Sequence, residues 1–529
     1  MSLKGYSRPT PVARPAVLAI NLSPVARLRA LSRLPIAQHS AQAPAGIRQR
    51  MAAPSLAAAQ DVAVLPVDGD DSQECMLPVE IAVVTSTRQS SFGPPWNEVM
   101  AHICQRLRWA NPQFCTTVLL ESDVQAELPP GASRSALLLP IDVHDPNTTQ
   151  ALLTAKEPQV LVPFESCPQL QDATRLGPYQ PLQPSKRQRL AALIPGTKCR
   201  KGKRIYGTVS GLWERKTSDD LVYMVLLLID QYVQNVPEVA KLDFTFSSLR
   251  CMVRNCRKPV LDCLRDPTCR KALGALNRCG TNDQVCSYRV IVSYESPLLE
   301  QFSLCILQKH NCLGCTAQMP ALPNPIPQQS FRGEAMTHEL AEDIFIGWLG
   351  KEQWSWRVIA GKSAAYDNFP CQYQLYYRGK ARNSMWYDPI FKVSTLDGRQ
   401  VWRRRHYRVK RGAQPGTFFF SVLDNGVTSN EFWRIVHVEE DLSWGLFFYS
   451  GAAAAAGMSY SGAVLVSSHG QWPPEEQKPR LHAALDKAGI KEWELFKVDN
   501  SCELCQNAPI DIPQQFINSE PDAPLVSAA

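Results

Sequence analysis

Apolar runs alternate with helical patterns over residues 78 to 170: Ile81-Ala-Val-Val-Thr-Ser, a helix after Pro95, Thr117-Val-Leu-Leu-Glu, Ala136-Leu-Leu-Leu-Pro-Ile, a short helix near Thr149, then Gln159-Val-Leu-Val-Pro-Phe. Continuous apolar strands between helices predict a small parallel α/β unit, because strands covered on both faces lose the polar alternation of half-exposed ones. A Pro-rich and basic linker is expected between Gly177 and Lys203, followed by a buried helix over Leu221 to Ile229 capped by Ser218. From Trp348 to Ser468 the pattern changes to short aromatic and β-branched stretches broken by Asp397-Gly, Gln414-Pro-Gly and Asn425-Gly. Turn signals at that spacing predict an antiparallel barrel or sandwich. A charged helical segment is expected over Pro474 to Ala488.

Between the two regions lies a block of nine cysteines: Cys251, Cys256, Cys263, Cys269, Cys279, Cys286, Cys305, Cys312 and Cys315. Thiols at that density imply either disulfides in an oxidising compartment or bound metal. Cys312-Leu-Gly-Cys315 and Cys502-Glu-Leu-Cys505 have the spacing of zinc-binding pairs, so the residues alone leave both readings open.

Charge narrows the function classes. The first 60 residues contain seven Arg, Lys4 and no acid, and this is the composition of an organelle transit peptide. Without those eight basic residues the formal charge of +7 becomes −1, which removes the electrostatic footprint expected of a nucleic-acid binder. The Leu221 to Ile229 run falls far short of the ~20 residues that span a bilayer. After the first strand, Arg88-Gln-Ser-Ser-Phe-Gly-Pro-Pro offers one glycine where a dinucleotide loop wants three.

The spacing Cys251-x4-Cys256-x6-Cys263-x5-Cys269 resembles that of violaxanthin de-epoxidases, ascorbate-using xanthophyll-cycle enzymes of chloroplasts, and in particular the violaxanthin de-epoxidase-related group. Cys305-x6-Cys312, Phe369-Pro-Cys371-Gln372, Tyr460-Ser-Gly-Ala-Val and Val498-Asp-Asn-Ser-Cys502 resemble further motifs of the family, in order, over about residues 245 to 505. The resemblance implies disulfides Cys251–Cys269, Cys256–Cys263, Cys279–Cys286, Cys305–Cys312 and Cys371–Cys502, with no metal. It also implies a lipocalin-like barrel whose interior holds a carotenoid or other apolar ligand. The fold class is thus multidomain α+β: transit peptide 1–60, α/β domain 75–240, cysteine-rich helical module 245–318, barrel with C-terminal helix 335–510 and tail 511–529.

Reductive opening of an epoxide needs an acid for its oxygen while ascorbate supplies electrons. The family places an Asp before an aromatic pair for this, and Asn430 or Glu431 falls there; Glu431 is the residue of the two that can donate a proton. Glu431 and Asp367 are therefore the catalytic candidates, and Gln372, Tyr449, Trp433 and His406 the ligand-binding ones. The sequence departs from the family at several places: His406 replaces a Gln, Val466 a Tyr, and Pro370 the Asp before the Cys-Gln pair. In the first barrel strand Trp354 replaces the lipocalin Gly, which is expected to narrow the closed end. Two functions stay open, an ascorbate-dependent reductase and a non-catalytic carotenoid or lipid carrier or sensor. Chloroplast location, in the lumen where disulfides persist, and peripheral thylakoid contact belong to the same expectation.

Overall fold

The computed structural model describes residues 78–124, 135–155, 158, 160–181, 185–237, 239, 245–280, 282–367, 369–381, 383–501 and 508–510. The transit-peptide expectation, the tail, Cys502 and Cys505 lie outside the described residues. Among the described residues no helix is long and apolar enough to cross a membrane.

Among the described residues the α/β domain has five strands: β1 (Val79–Thr85), β2 (Phe114–Leu120), β3 (Leu137–Ile141), β4 (Val160–Leu161) and β5 (Arg175–Leu176). They are ordered β2-β1-β3-β4-β5, the first four parallel and β5 antiparallel at the edge. Helices α1 (Trp96–Ala110), α3 (Lys198–Arg215) and α4 (Ser218–Tyr232) cover one face, and α2 (Pro146–Thr154) the other. The α4 cap is Thr217, whose hydroxyl accepts from the Asp220 N–H, and not Ser218. The expected linker between Gly177 and Lys203 instead contains a short helix, Lys186–Ala191, and the start of α3. Ser185 and Gln188 cap the short helix reciprocally, a local signal that the proline content obscured.

The cysteine-rich module is built of α5 (Phe246–Asn255), α6 (Arg257–Arg265), α7 (Pro267–Leu276), α8 (Gln284–Ser293) and α9 (Pro297–Ser303), which runs into a π-helical turn, Leu304–Lys309. Its disulfides are Cys251–Cys312, Cys256–Cys305, Cys263–Cys269 and Cys279–Cys286. The implied pairs Cys251–Cys269, Cys256–Cys263 and Cys305–Cys312 are therefore wrong. Cys256 immediately precedes α6 and Cys263 lies near its far end, so seven residues of helix separate them by roughly 10 Å, beyond the ~7 Å reach of a disulfide. The π-helical turn instead lies against α5, where the Cys305 sulfur meets the Asn255 carbonyl and the Cys251 sulfur the His310 carbonyl. Cys312 is thus consumed by a disulfide, and Cys315 is a buried free thiol.

The C-terminal half is a barrel. Its strands are β6 (Trp356–Gly361), β7 (Tyr373–Arg378), β8 (Ser384–Ser394), β9 (Gln400–Arg404), β10 (Tyr407–Arg411), β11 (Thr417–Asp424), β12 (Val427–Val438), β13 (Trp444–Ala453) and β14 (Met458–Ser467), with β15 (Phe496–Lys497) beside β6. Eight of them close antiparallel in the order β6-β7-β8-β10-β11-β12-β13-β14 and back to β6, while β9 pairs with the far half of β8. Period-two alternation sorts the side chains: Glu431, Trp433 and Ile435 of β12 face inward, Asn430 and Phe432 outward. Helix α10 (His338–Ile346) plugs one end, where Phe345 stacks on Tyr376 (4.7 Å) and meets Phe418 and Phe447 edge-on. Trp356 fixes the plug by donating its Nε1–H to the Ile344 and Phe345 carbonyls. Trp354 does not narrow that end: it lies in an outer cluster with Tyr373 and Leu375 and donates to the Ser468 carbonyl. Helix α11 (Lys478–Lys487) packs Leu481, Ala484 and Leu485 on the outside of β12 to β14.

Candidate functional site

At the end of the barrel away from α10, the interior becomes polar. A cavity of about 40 Å³ is lined by Asp367, Gln372, Gln374, Glu431, five tyrosines (Tyr366, Tyr387, Tyr407, Tyr449, Tyr460), Trp433, Pro389, Phe391 and Val464. That space holds a few waters at most, since one needs about 10–15 Å³ of it.

Two carboxyl groups face it from different elements. Glu431, on β12, is 6% exposed. One of its oxygens accepts from the Trp433 indole (2.7 Å) and the other from the Tyr460 hydroxyl (2.8 Å). Burial pushes its pKa above the ordinary value, and those two hydrogen bonds only partly hold it down. Asp367 lies in the turn after β6, 3% exposed, and its Oδ2 accepts the Ser363 N–H at 2.7 Å. Burial and the neighbouring Glu431 charge raise it to about 7, against the Ser363, Lys362 and Tyr449 contacts that favour its ionised form. Burial thus biases both acids toward the protonated form, as proton donation requires.

The aromatic wall orients them. Trp433 stacks between Phe420 (4.7 Å) and Tyr449 (5.0 Å). Tyr387 donates to the Gln374 amide oxygen. The Gln372 amide donates to the Tyr366 (2.7 Å) and Phe369 (2.9 Å) carbonyls, tying the turn that carries Asp367 to the start of β7. Three glycines make room for this set: a Cβ at Gly361 would lie 2.3 Å from the Asp367 carboxyl, one at Gly462 2.6 Å from the Tyr449 hydroxyl, and one at Gly451 2.6 Å from the Tyr460 ring. These glycines and Tyr366, Tyr387, Tyr407 and Gln374 escaped the sequence reading. Alternation pointed to them, since Gln372/Gln374 and Tyr387/Pro389/Phe391 are spaced by two on their strands.

The structure thus brings Glu431, Asp367, Gln372, Tyr449 and Trp433 together and leaves out His406. His406 sits in the break between β9 and β10, next to the inward Tyr407, so its ring points outward. It stacks on Trp386 (4.2 Å) and bonds Asp388 (2.6 Å), which also takes the Arg404 guanidinium. The arginines just before His406 are engaged too: Arg405 donates to the Tyr288 hydroxyl (2.7 Å) and pairs with Asp424, and Arg403 pairs with Glu295 (2.6 Å). These contacts clamp α8 onto the barrel, where Tyr288 packs on Tyr366 (5.5 Å), Phe369 and Phe391 and so backs the cavity wall. Val466, where the family's Tyr was expected, lies in the apolar interior.

Cys371, with φ of +61°, precedes Gln372 and takes part in a disulfide; the inferred partner Cys502 lies outside the described residues. Its N–H donates to the Asp499 carbonyl (2.9 Å), which lays the C-terminal segment beside this turn.

Residues 248–500 match the family model described as the VDE lipocalin domain. The chain is related to the violaxanthin de-epoxidases. The chloroplastic violaxanthin de-epoxidase of Nicotiana tabacum is 20% identical over 256 residues, 48% of this chain and 50% of the tobacco protein. That of Arabidopsis thaliana is 21% identical over 272 residues, 50% of this chain and 55% of its own. The chain spans about half the length of the curated relatives it matches. Among solved structures, lobster apocrustacyanin A1 is 11% identical with a TM-score of 0.23, covering 36% of this chain and 99% of its own. The siderocalin Ex-FABP is 9% identical with a TM-score of 0.22, covering 28% and 93%. The barrel itself rests on its strand pairing, since likeness at that level adds nothing to it. The α/β domain lies outside the VDE match.

Proposed function

We propose that the barrel binds one end of a xanthophyll or similar apolar epoxide and reductively removes its oxygen with ascorbate, in the chloroplast and at the lumenal side of the thylakoid membrane. The observation that carries this reading is the pair of buried carboxyls, Asp367 and Glu431, both lifted above their ordinary range in one cavity of a VDE lipocalin domain. A protonated carboxyl gives its proton to the epoxide oxygen as the C–O bond opens. Ascorbate supplies two electrons and the second proton and leaves as dehydroascorbate, the ring carbons regain a double bond, and the oxygen departs as water. Gln372, Tyr449 and Trp433 form the wall against the ring end of the ligand. Entry requires the side chains at the cavity to part, because about 40 Å³ is far too small for a ring.

One observation favours the second reading, a carrier or sensor: both oxygens of Glu431 are already bonded within the protein. Purified protein with violaxanthin dispersed in galactolipid and ascorbate, followed by pigment chromatography, separates the two. The reductase converts the pigment. A carrier binds it unchanged.

A further inference from the structure

The stretch from Ser185 to Trp213 contains eight basic residues and no acid: Lys186, Arg187, Arg189, Lys198, Arg200, Lys201, Lys203 and Arg204. All but Arg200 are exposed, and among the described residues none of the eight forms an ion pair. In the middle of this run the chain presents three aliphatic side chains to solvent: Leu190 is 65% exposed, Leu193 72% and Ile194 57%. Unpaired charge at this density repels itself, and aliphatic groups in water cost free energy, so the surface is built for something other than solvation.

The surface is also held in place. The Ser185–Gln188 capping box closes the short helix, and Thr197 ties the turn by donating to the Ala191 and Ile194 carbonyls while it caps α3. Cys199, Gly202, Ile205 and Val209 anchor α3 in the core, and a Cβ at Gly202 would lie 2.6 Å from Tyr179. That burial leaves Lys201 and Arg204 on the outer side of α3. The arrangement is an apolar tip set between two basic runs.

We infer that this tip docks the protein on an anionic lipid bilayer, with Leu190, Leu193 and Ile194 inserted among the acyl chains at the interface and the basic runs on the headgroups. A nucleic acid would match the charge but not the tip, because strand binding calls for aromatic rings on which bases stack, and the exposed apolar side chains here are all aliphatic. The site lies in the α/β domain, outside the VDE match. It rests on the membrane contact of the function proposed above and is independent of de-epoxidation.

The test uses the full chain and co-sedimentation with vesicles of phosphatidylcholine alone and of phosphatidylcholine mixed with phosphatidylglycerol. The expected result is binding to the anionic vesicles that weakens with added salt, and little to the neutral ones. Lys201→Gln, Lys203→Gln and Arg204→Gln together should weaken it roughly a hundredfold, at about fivefold per basic residue. Leu193→Ser with Ile194→Ser should also weaken it, while unchanged melting curves show both variants folded. The proposal is overturned by equal binding to neutral vesicles, by no vesicle binding, by variants that bind like the parent, or by a single-stranded oligonucleotide that displaces the vesicles. Pigment conversion in detergent micelles should be the same in both variants as in the parent. Its absence in all three, with the parent binding anionic vesicles and both variants weakened, would remove the enzymatic reading alone.

Discussion

Asp367 is raised to about 7 by burial and by Glu431, well above the ~3.9 of a free aspartate. Between those values the folded protein holds a proton that the unfolded chain has given up, so stability falls as pH rises toward 7, by at most about 1.4 kcal/mol per unit. Asp367→Asn should flatten that dependence in denaturant unfolding followed from about pH 5 to 7; parent and variant curves of equal slope would show that the carboxyl is not buried in its protonated form. Glu431 makes the stronger functional claim. Glu431→Gln keeps the size and the Tyr460 contact but has no acidic proton, and should lower pigment conversion by about 10²–10⁴ while binding persists. That 430 and 431 face opposite sides was legible from alternation, and which one faces inward was not. Register fixes it: Trp433 belongs to the core, so Glu431 shares its face. His406 shows the limit of matching positions along a chain, since one residue of register put its ring outside the barrel.

Strands and turns of the barrel were readable because their turn signals are local, whereas the cysteine pairing was not, because it depends on which helices lie side by side. Cys251–Cys312 and Cys256–Cys305 span 61 and 49 residues and tie the two ends of the module together. In the chain-entropy view each closes a loop with a contribution of about 4 kcal/mol, so the double variant Cys251→Ser, Cys312→Ser should lose roughly that much against denaturant. Non-reducing peptide mapping should recover the four pairs described and none that joins Cys256 to Cys263. The glycines act on the same scale. Gly462→Ala drives a methyl into the Tyr449 hydroxyl and should cost about 1–3 kcal/mol with weakened pigment binding. Gly207→Ala meets nothing within 4 Å on exposed α3 and should stabilise by about 0.5–1 kcal/mol.

Across the whole molecule, the α/β domain is joined to the barrel by a cluster of charges no sequence pattern disclosed, because its members lie up to 392 residues apart. Lys362, buried at the end of β6, donates to Asp219 (2.6 Å), which also takes Arg106; Arg106 and His102 in turn reach Glu494. Burial pushes Asp219 and Glu494 up, but the surrounding cations outweigh it and hold both below the usual carboxylate range. Their contribution is therefore present above the unfolded-state pKa and lost as pH falls through the folded one. Asp219→Ala removes the carboxylate partner of Lys362, while Arg106 keeps Glu494; because the Asp219 side chain is 44% exposed, stability should fall by only about 1 kcal/mol, read by thermal unfolding near neutral pH. Lys362 also faces Asp367, so the docked α/β domain bears on the charge at the cavity. The cavity's two acids remain the centre of the account. Violaxanthin conversion with ascorbate, measured across pH for the parent, Glu431→Gln and Asp367→Asn, tests them most directly: turnover should fall as pH rises through about 7 in the parent and collapse in both variants, and variants that convert the pigment at the parent's rate and pH dependence would contradict it.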